Sequence, residues 1–141
     1  MKKLAMFLLV CLLFVGCGKS EELDIAKATS AIENTLTEMV TIEDSTLKDA
    51  YSLNLDNMQE YVFKQNEDGD FYAIIKTNKK TEVKNNMKEY FAKVKEFNTA
   101  YSPERLQLLE DRLEKELGDT LIYIIANNSE NIYNDVLNTI E

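Results

Sequence analysis

Apolar residues recur along this chain at spacings that predict both helices and strands. From Asp24, a suitable N-cap, they recur every three or four positions and predict an amphipathic helix that continues to about residue 40. Its apolar face would hold Ile25, Ala28, Ile32, Leu36, Met39 and Val40. A shorter helix is predicted from about Asp44 through Leu47 to Tyr51.

Two segments rich in aromatic and β-branched residues, 61–65 and 71–77, flank an Asn-Glu-Asp-Gly-Asp sequence and predict a β-hairpin. Within the second segment Ile74 and Ile75 are adjacent, so apolar contacts are expected on both faces of that strand. This strand is therefore predicted to run through the interior of the sheet.

The clearest helical pattern begins at Asn78 and places six apolar side chains on one face. They are Val83, Met87, Tyr90, Phe91, Val94 and Phe97. Ser102 followed by Pro103 predicts the start of another short helix, because serine is a good N-cap and proline suits the first helical position.

Residues 106–117 fit two patterns. Leu106, Leu109 and Leu113 suit a helix. Leu113, Lys115 and Leu117 suit a strand, but propensity favours the helix. After a turn at 118–119, residues 121–125 form a strongly apolar strand, and Ser129 is predicted to cap the last helix. That helix carries Ile132, Val136, Leu137 and Ile140.

The first residues follow a different plan, with Lys2 and Lys3, an apolar run, and then Gly16. This is a signal-peptide pattern, too short to span a bilayer comfortably. Residues 14–17, Phe-Val-Gly-Cys, look like the lipobox of bacterial lipoproteins, with Phe14 in place of the usual leucine. The alternatives are an ordinary signal peptide and an uncleaved membrane anchor.

The lipobox predicts cleavage between Gly16 and Cys17 and attachment of lipid, palmitate among its acyl chains, to Cys17. Residues 1–16 are then the lipoprotein signal peptide, residues 17–24 the lipidated cysteine and a short polar tether, and residues 25–141 a single domain. The expected location is the outer face of the cell membrane, held there by lipid. Cys11 leaves with the signal peptide, so the domain has no disulfide.

Charge limits the range of partners. The formal net charge is −9, and losing Lys2 and Lys3 with the signal peptide takes it to −11. A field of this sign repels phosphate backbones and anionic headgroups, so no nucleic-acid partner is expected, nor attachment to membranes through a basic patch.

Several features, taken in their order along the chain, resemble those of a family of small lipoproteins from Gram-positive bacteria. The family is catalogued as a domain of unknown function, DUF4358. They are the lipobox cysteine, Tyr51 before Leu55, the 61–77 hairpin, Tyr-Ser-Pro-Glu at 101–104, Leu109-Glu110, and Gly118 before Leu-Ile-Tyr-Ile at 121–124. The resemblance implies an α+β fold, an antiparallel sheet of about four strands in two hairpins packed with helices. It also implies that residues 111–117 pair with 120–126, against helix propensity. Tyr72 stands where family members often carry an acidic residue.

Residues suited to catalysis are scarce, because the chain has no histidine and the processed domain has no thiol. Ser45 and Lys48 form the single Ser-x-x-Lys spacing, and Ser45 is better interpreted as a helix N-cap. The hairpin carboxylates do not match a calcium loop, since Gly69 as the sixth residue would place Ile75 twelfth. The sequence predicts no catalytic residue, metal or cofactor.

Seven tyrosines offer an aromatic binding surface, and Tyr72 and Tyr101 are its expected members. The preferred hypothesis is a non-enzymatic, membrane-anchored binding or accessory module that binds another envelope protein or glycan through an exposed sheet face or a helix groove. The alternatives are a small cell-wall enzyme of carboxylate or Ser/Lys type, and a small-molecule receptor with an apolar pocket.

Overall fold

A computed structural model describes residues 22–140, which form an α+β domain. The predicted signal peptide, its cleavage site at Gly16 and the lipid site at Cys17 lie outside these residues. The elements are α1 (Ile25–Glu33), β1 (Val40–Thr41), α2 (Asp44–Asp49), β2 (Glu60–Gln65), β3 (Phe71–Lys76), α3 (Lys80–Tyr101), a 3₁₀ helix (Pro103–Arg105), α4 (Leu106–Glu110), β4 (Leu113–Leu117), β5 (Thr120–Ile125) and α5 (Ser129–Leu137).

The strands form one antiparallel sheet in the order β1-β2-β3-β5-β4. The predicted first hairpin is confirmed, since β2 pairs with β3 across the turn at residues 66–70. The second hairpin, which the family resemblance implied, is confirmed too: Leu113 pairs with Ile124 and Leu117 with Thr120. Gly118 makes the turn between them with a φ of 57°, a conformation that glycine adopts without strain.

Helix propensity was wrong for residues 113–117. Helix α4 ends at Glu110, and the chain then extends along β5 instead of completing another turn. Pairing with β5 buries Leu113 against the sheet, and this long-range contact outweighs the helix preference of Leu, Glu and Lys.

The first helix was predicted too long, and the sheet has five strands where about four were expected. Helix α1 ends at Glu33, and Glu38 has a φ of 57°, which no right-handed helix accommodates. Val40 instead pairs with Gln65 as part of the edge strand β1, and its side chain is 66% exposed.

Helix starts were predicted to within two residues. Asp24 caps α1 as predicted and accepts a hydrogen bond from the Lys27 backbone N–H, whereas the caps of α2 and α5 differ from the prediction. Helix α2 begins at Asp44, so Ser45 lies inside it rather than at the N-cap. Ser129 is likewise the first residue of α5, and Asn128 occupies the N-cap. Ser102 does precede the 3₁₀ helix, as predicted, but its side chain makes no capping hydrogen bond.

Helices cover both faces of the sheet. Strands β3 and β5 are buried along almost their whole length, and Ile74 and Ile75 are both fully buried, as their adjacency predicted. One face packs against the α3 residues Val83, Met87, Tyr90 and Phe91. The other packs against Ala28, Ala31 and Ile32 of α1 and Ile132 and Val136 of α5.

Ion pairs join the first turns of α3 to the edge strand β4. Lys80 and Lys84 each donate a hydrogen bond to Glu116 at 2.5 Å. These two bonds lower the pKa of Glu116 to about 2. In the unfolded chain the pKa of this carboxyl is about 4.3. The ion pairs therefore contribute their full stabilisation above that pH, and the stabilisation is lost as the pH falls from there toward 2.

We therefore expect Glu116→Gln to lower the free energy of unfolding at about pH 6 and to have no effect once Glu116 is protonated in both states. Urea unfolding at a series of pH values measures the difference from wild type. Glu89→Gln is the control, because Glu89 is exposed on α3 and forms no ion pair in the part of the chain described. A difference that did not change with pH would contradict the assignment.

Candidate functional site: an aromatic cavity

A cavity of about 300 Å³ opens at the end of the sheet where β2 ends and β3 begins. Its aromatic lining residues are Tyr51, Phe71, Tyr90, Phe91 and Phe97. This volume lies at the small end of the range typical of small-molecule sites.

The cavity exists because α3 is longer than the strands beneath it. The 22 residues of α3 span about 33 Å, whereas a six-residue strand spans about 20 Å. The last turns of the helix therefore project past the ends of the strands and carry apolar side chains that the sheet does not cover. Phe97 is 53% exposed and Tyr101 is 74% exposed, with their ring centroids 4.9 Å apart.

The floor of the cavity is part of the hydrophobic core. Tyr90 lies 5.8 Å from Phe71 and 5.3 Å from Phe91, measured between ring centroids. The Arg112 guanidinium lies 4.5 Å from the centroid of the Phe91 ring, a cation–π contact. Close packing on this scale gives a preformed floor rather than one that a ligand must assemble.

The Tyr51 ring forms one wall, and the end of α2 positions it. Ser52, the next residue, has a left-handed φ of 53°, and its hydroxyl is 2.5 Å from the Lys93 ammonium of α3. The Tyr51 ring lies 5.0 Å from the Tyr90 ring. Two segments 39 positions apart in sequence thus meet at one wall.

The Tyr90 hydroxyl is the polar group deepest in the site. Tyr90 is 3% exposed, and its hydroxyl makes no hydrogen bond with any residue of 22–140. Burial, with a smaller contribution from Tyr51, raises its pKa, so the group is a neutral donor and acceptor. Tyr90 lines the cavity, and among the described residues its hydroxyl is not one of the unpaired side-chain atoms fully sealed from solvent, whereas Arg112 Nε is.

Polar side chains line the mouth. The amides of Gln65 and Asn98 line the cavity and have no side-chain hydrogen bond within residues 22–140. Arg105 donates from Nη2 to the Glu67 carbonyl oxygen at 2.5 Å and forms no ion pair with the described residues. A Cβ added to Gly69 would lie 2.9 Å from Arg105 Nε, so the guanidinium packs directly over the hairpin turn.

The predicted hairpin turn is confirmed and supports this rim. Asn66 accepts a hydrogen bond from the Asp70 backbone N–H at 3.0 Å and donates to its carboxylate at 3.1 Å. Gly69 has a φ of 90°, which disfavours any residue with a Cβ. Among residues 22–140 no group of three or more acidic, cysteine or histidine side chains is arranged to hold a metal ion.

The prediction for Tyr72 as an exposed aromatic is wrong, whereas Tyr101 is exposed and its ring lies 4.9 Å from that of Phe97, which lines the cavity. Tyr72 is fully buried on the other side of the sheet and donates a hydrogen bond to Glu33 at 2.5 Å. Burial and this bond raise the pKa of Tyr72. Partial burial of Glu33 is outweighed by bonds from Lys64 and Tyr72, which lower its pKa.

Two other surfaces considered from the sequence differ in this fold from what was expected. Ser45 and Lys48 are exposed on α2 and share no hydrogen bond. The exposed sheet face offered for partner binding is absent, since helices cover both faces of the central strands. A helix groove remains, and the cavity beside α3 is one. Four carboxylates, Glu67, Asp68, Glu104 and Asp111, line a shallow depression next to it.

The first described residues, Glu22 and Leu23, lie at the end of the sheet opposite the cavity. Leu23 is buried, and Glu22 forms an ion pair with Lys76, the last residue of β3. Lys76 pairs with Glu60 and Thr120, whereas Phe71, at the cavity, pairs with Gln65 and Ile125. No helix within residues 22–140 is long and apolar enough to cross a bilayer.

Fold and site together define a small α+β domain with helices on both faces of an antiparallel sheet and a preformed aromatic cavity at one end. The model of a family described as a domain of unknown function, DUF4358, matches residues 31–126, and the chain belongs to that family. The match runs from within α1 to just past β5 and includes every cavity residue. No curated protein and no solved structure matches this chain.

Proposed function

We propose that this protein is a membrane-anchored, non-enzymatic binding module at the outer face of the cell envelope, and that the aromatic cavity binds its ligand. The anchor rests on the signal pattern of residues 1–16 and on Cys17. The observation that carries the binding function is the cavity itself, where aromatic rings and unpaired polar groups converge.

The position of the tether supports an outward-facing site. Five residue steps separate Cys17 from Glu22, a reach of at most about 18 Å. Lipid on Cys17 therefore keeps the Lys76 end of the sheet near the bilayer. The six-residue strands then place the cavity about 20 Å farther out. A ligand would reach it from outside the membrane.

The composition of the cavity supports binding rather than catalysis. Glu67 is the one carboxylate among its lining residues, whereas a carboxylate mechanism needs two facing acids. The sequence contains no histidine to act as a base. Rings, amides and a neutral tyrosine hydroxyl are groups that hold a ligand in place.

Photo-crosslinking in intact cells, followed by mass spectrometry, tests this proposal. A photoreactive residue in place of Tyr101, which is exposed beside the cavity residue Phe97, is expected to capture an envelope component, and the N-terminal peptide is expected to begin at a lipid-bearing Cys17. The same residue in place of Asp135, exposed on α5, is the control and should not capture that component. Equal capture at both positions would contradict the site, and an unmodified N-terminus would contradict the anchor.

A further inference from the structure

The aromatic groups at the cavity mouth are arranged for stacking. Phe97, which is exposed, and Tyr51, which is half-buried, line the cavity above its packed floor, and the exposed Tyr101 lies beside Phe97. Large rings left exposed at a concave site stabilise a ligand with an apolar face. A pyranose ring has such a face, formed by its axial C–H groups.

The polar groups of the cavity match hydroxyls. A side-chain amide offers both a donor and an acceptor, and a sugar hydroxyl does the same. The amides of Gln65 and Asn98 are unpaired within residues 22–140, as is the Tyr90 hydroxyl at the floor. A purely apolar ligand would bury these three groups without partners, which is costly.

Charge disfavours an anionic ligand most. Arg105 at the rim repels a cation locally, although the neighbouring carboxylates attract one. Glu67 at the rim, the neighbouring carboxylates of the depression and the overall acidic charge repel an anion. An uncharged ligand rich in hydroxyls is repelled by neither sign of charge, and Arg105 can donate a hydrogen bond to it.

We propose that the cavity binds an uncharged saccharide, with one pyranose ring stacked on the aromatic mouth and one hydroxyl paired with Tyr90. This inference rests on the proposed function and specifies its ligand. It agrees with a cavity that faces away from the bilayer, toward the glycans of the envelope.

Saturation-transfer NMR on the mature lipidated protein in detergent micelles tests the ligand class. The saccharide probes are the β-linked trisaccharide of N-acetylglucosamine, cellotriose and maltotriose. Phenethylamine and phenylacetate serve as charged aromatic probes of the same site. We expect transfer to at least one saccharide and none to the two ions.

Three variants locate the binding. Tyr90→Phe removes only a hydroxyl that has no hydrogen-bond partner within residues 22–140, so it should fold normally and weaken saccharide binding about threefold to tenfold. Phe97→Ala removes an exposed ring and should weaken it by a similar factor. Tyr133→Phe, on α5 at the other face of the sheet, should leave the dissociation constant unchanged.

Each other outcome overturns a specific statement. Binding of an ion, but of no saccharide, with a loss in Phe97→Ala would end the saccharide assignment and leave the proposed binding module intact. Saccharide binding unaffected by both Tyr90→Phe and Phe97→Ala would place the sugar elsewhere. Binding of no probe would end the saccharide assignment, whereas the crosslinking at Tyr101 tests the binding module separately. Cleavage of a bound saccharide would contradict the non-enzymatic proposal.

Discussion

Serine in place of Cys17 is expected to abolish the lipid-bearing form that we propose for this protein. Only a cysteine offers the sulfur that accepts a diacylglycerol, and cleavage before residue 17 follows that step. Two acyl chains contribute about 0.8 kcal/mol per buried CH₂, enough for stable anchoring. The net acidic charge of the chain does not favour attachment to anionic lipid in their place. Mass spectrometry of the N-terminal peptide from washed membranes measures the loss.

A second form of the chain separates anchoring from processing. When an ordinary cleavable secretion signal replaces residues 1–17, we expect the domain to appear in the medium. Cys11→Ser is the matched control, because Cys11 lies inside the signal segment and its loss should leave the lipidated form intact. Retention of the re-engineered domain on membranes would show that something other than lipid holds it there.

The parts of the fold predictable from sequence are those where local pattern and tertiary contact agree. The 61–77 hairpin has turn residues between two β-rich segments, and α3 has one continuous apolar stripe, so both were predicted to within a few residues. Residues 113–117 are different, because their helix propensity opposes their pairing with β5. Their local sequence does not indicate that the buried strand β5 pairs with them.

The candidate site was predictable only in part. Tyr72 lies in a run of apolar residues on a strand buried on both faces, where alternation says nothing about exposure. Its hydroxyl donates a hydrogen bond to Glu33, which lies 39 positions earlier. No spacing rule identifies that partner. Tyr101 was foreseen as exposed, but the cavity beside it needs Tyr51 and Phe97 as well.

One signal for the cavity was present in the sequence. A helical pattern that continues through Phe97, over strands of about six residues, predicts that the end of the helix projects past the sheet. Comparing element lengths, rather than counting apolar positions, would have placed uncovered aromatic side chains there. The polar rim, which three separate segments provide, has no comparable signal.

Alanine in place of Ile74 or of Ile75 is expected to cost about 2–5 kcal/mol of unfolding free energy in each case. Both side chains are fully buried, but they pack on opposite faces of the sheet: Ile74 against α1 and α5, Ile75 against α3. A sheet covered on one face would lose stability at only one of these adjacent positions. Urea unfolding of the domain measures both, and Val40→Ala, at an exposed edge position, should stay within about 0.5 kcal/mol of wild type.

The same pair of variants separates the support of the site from general stability. Ile75 belongs to the cluster that contains Phe71, Tyr90 and Phe91, so a void there weakens packing in the same layer that forms the floor of the cavity. Ile74 belongs to the cluster on the other face. Under conditions where both variants remain folded, Ile75→Ala should weaken ligand binding at the cavity and Ile74→Ala should not. Equal losses of binding would mean that the cavity depends on the whole sheet rather than on the aromatic layer under α3.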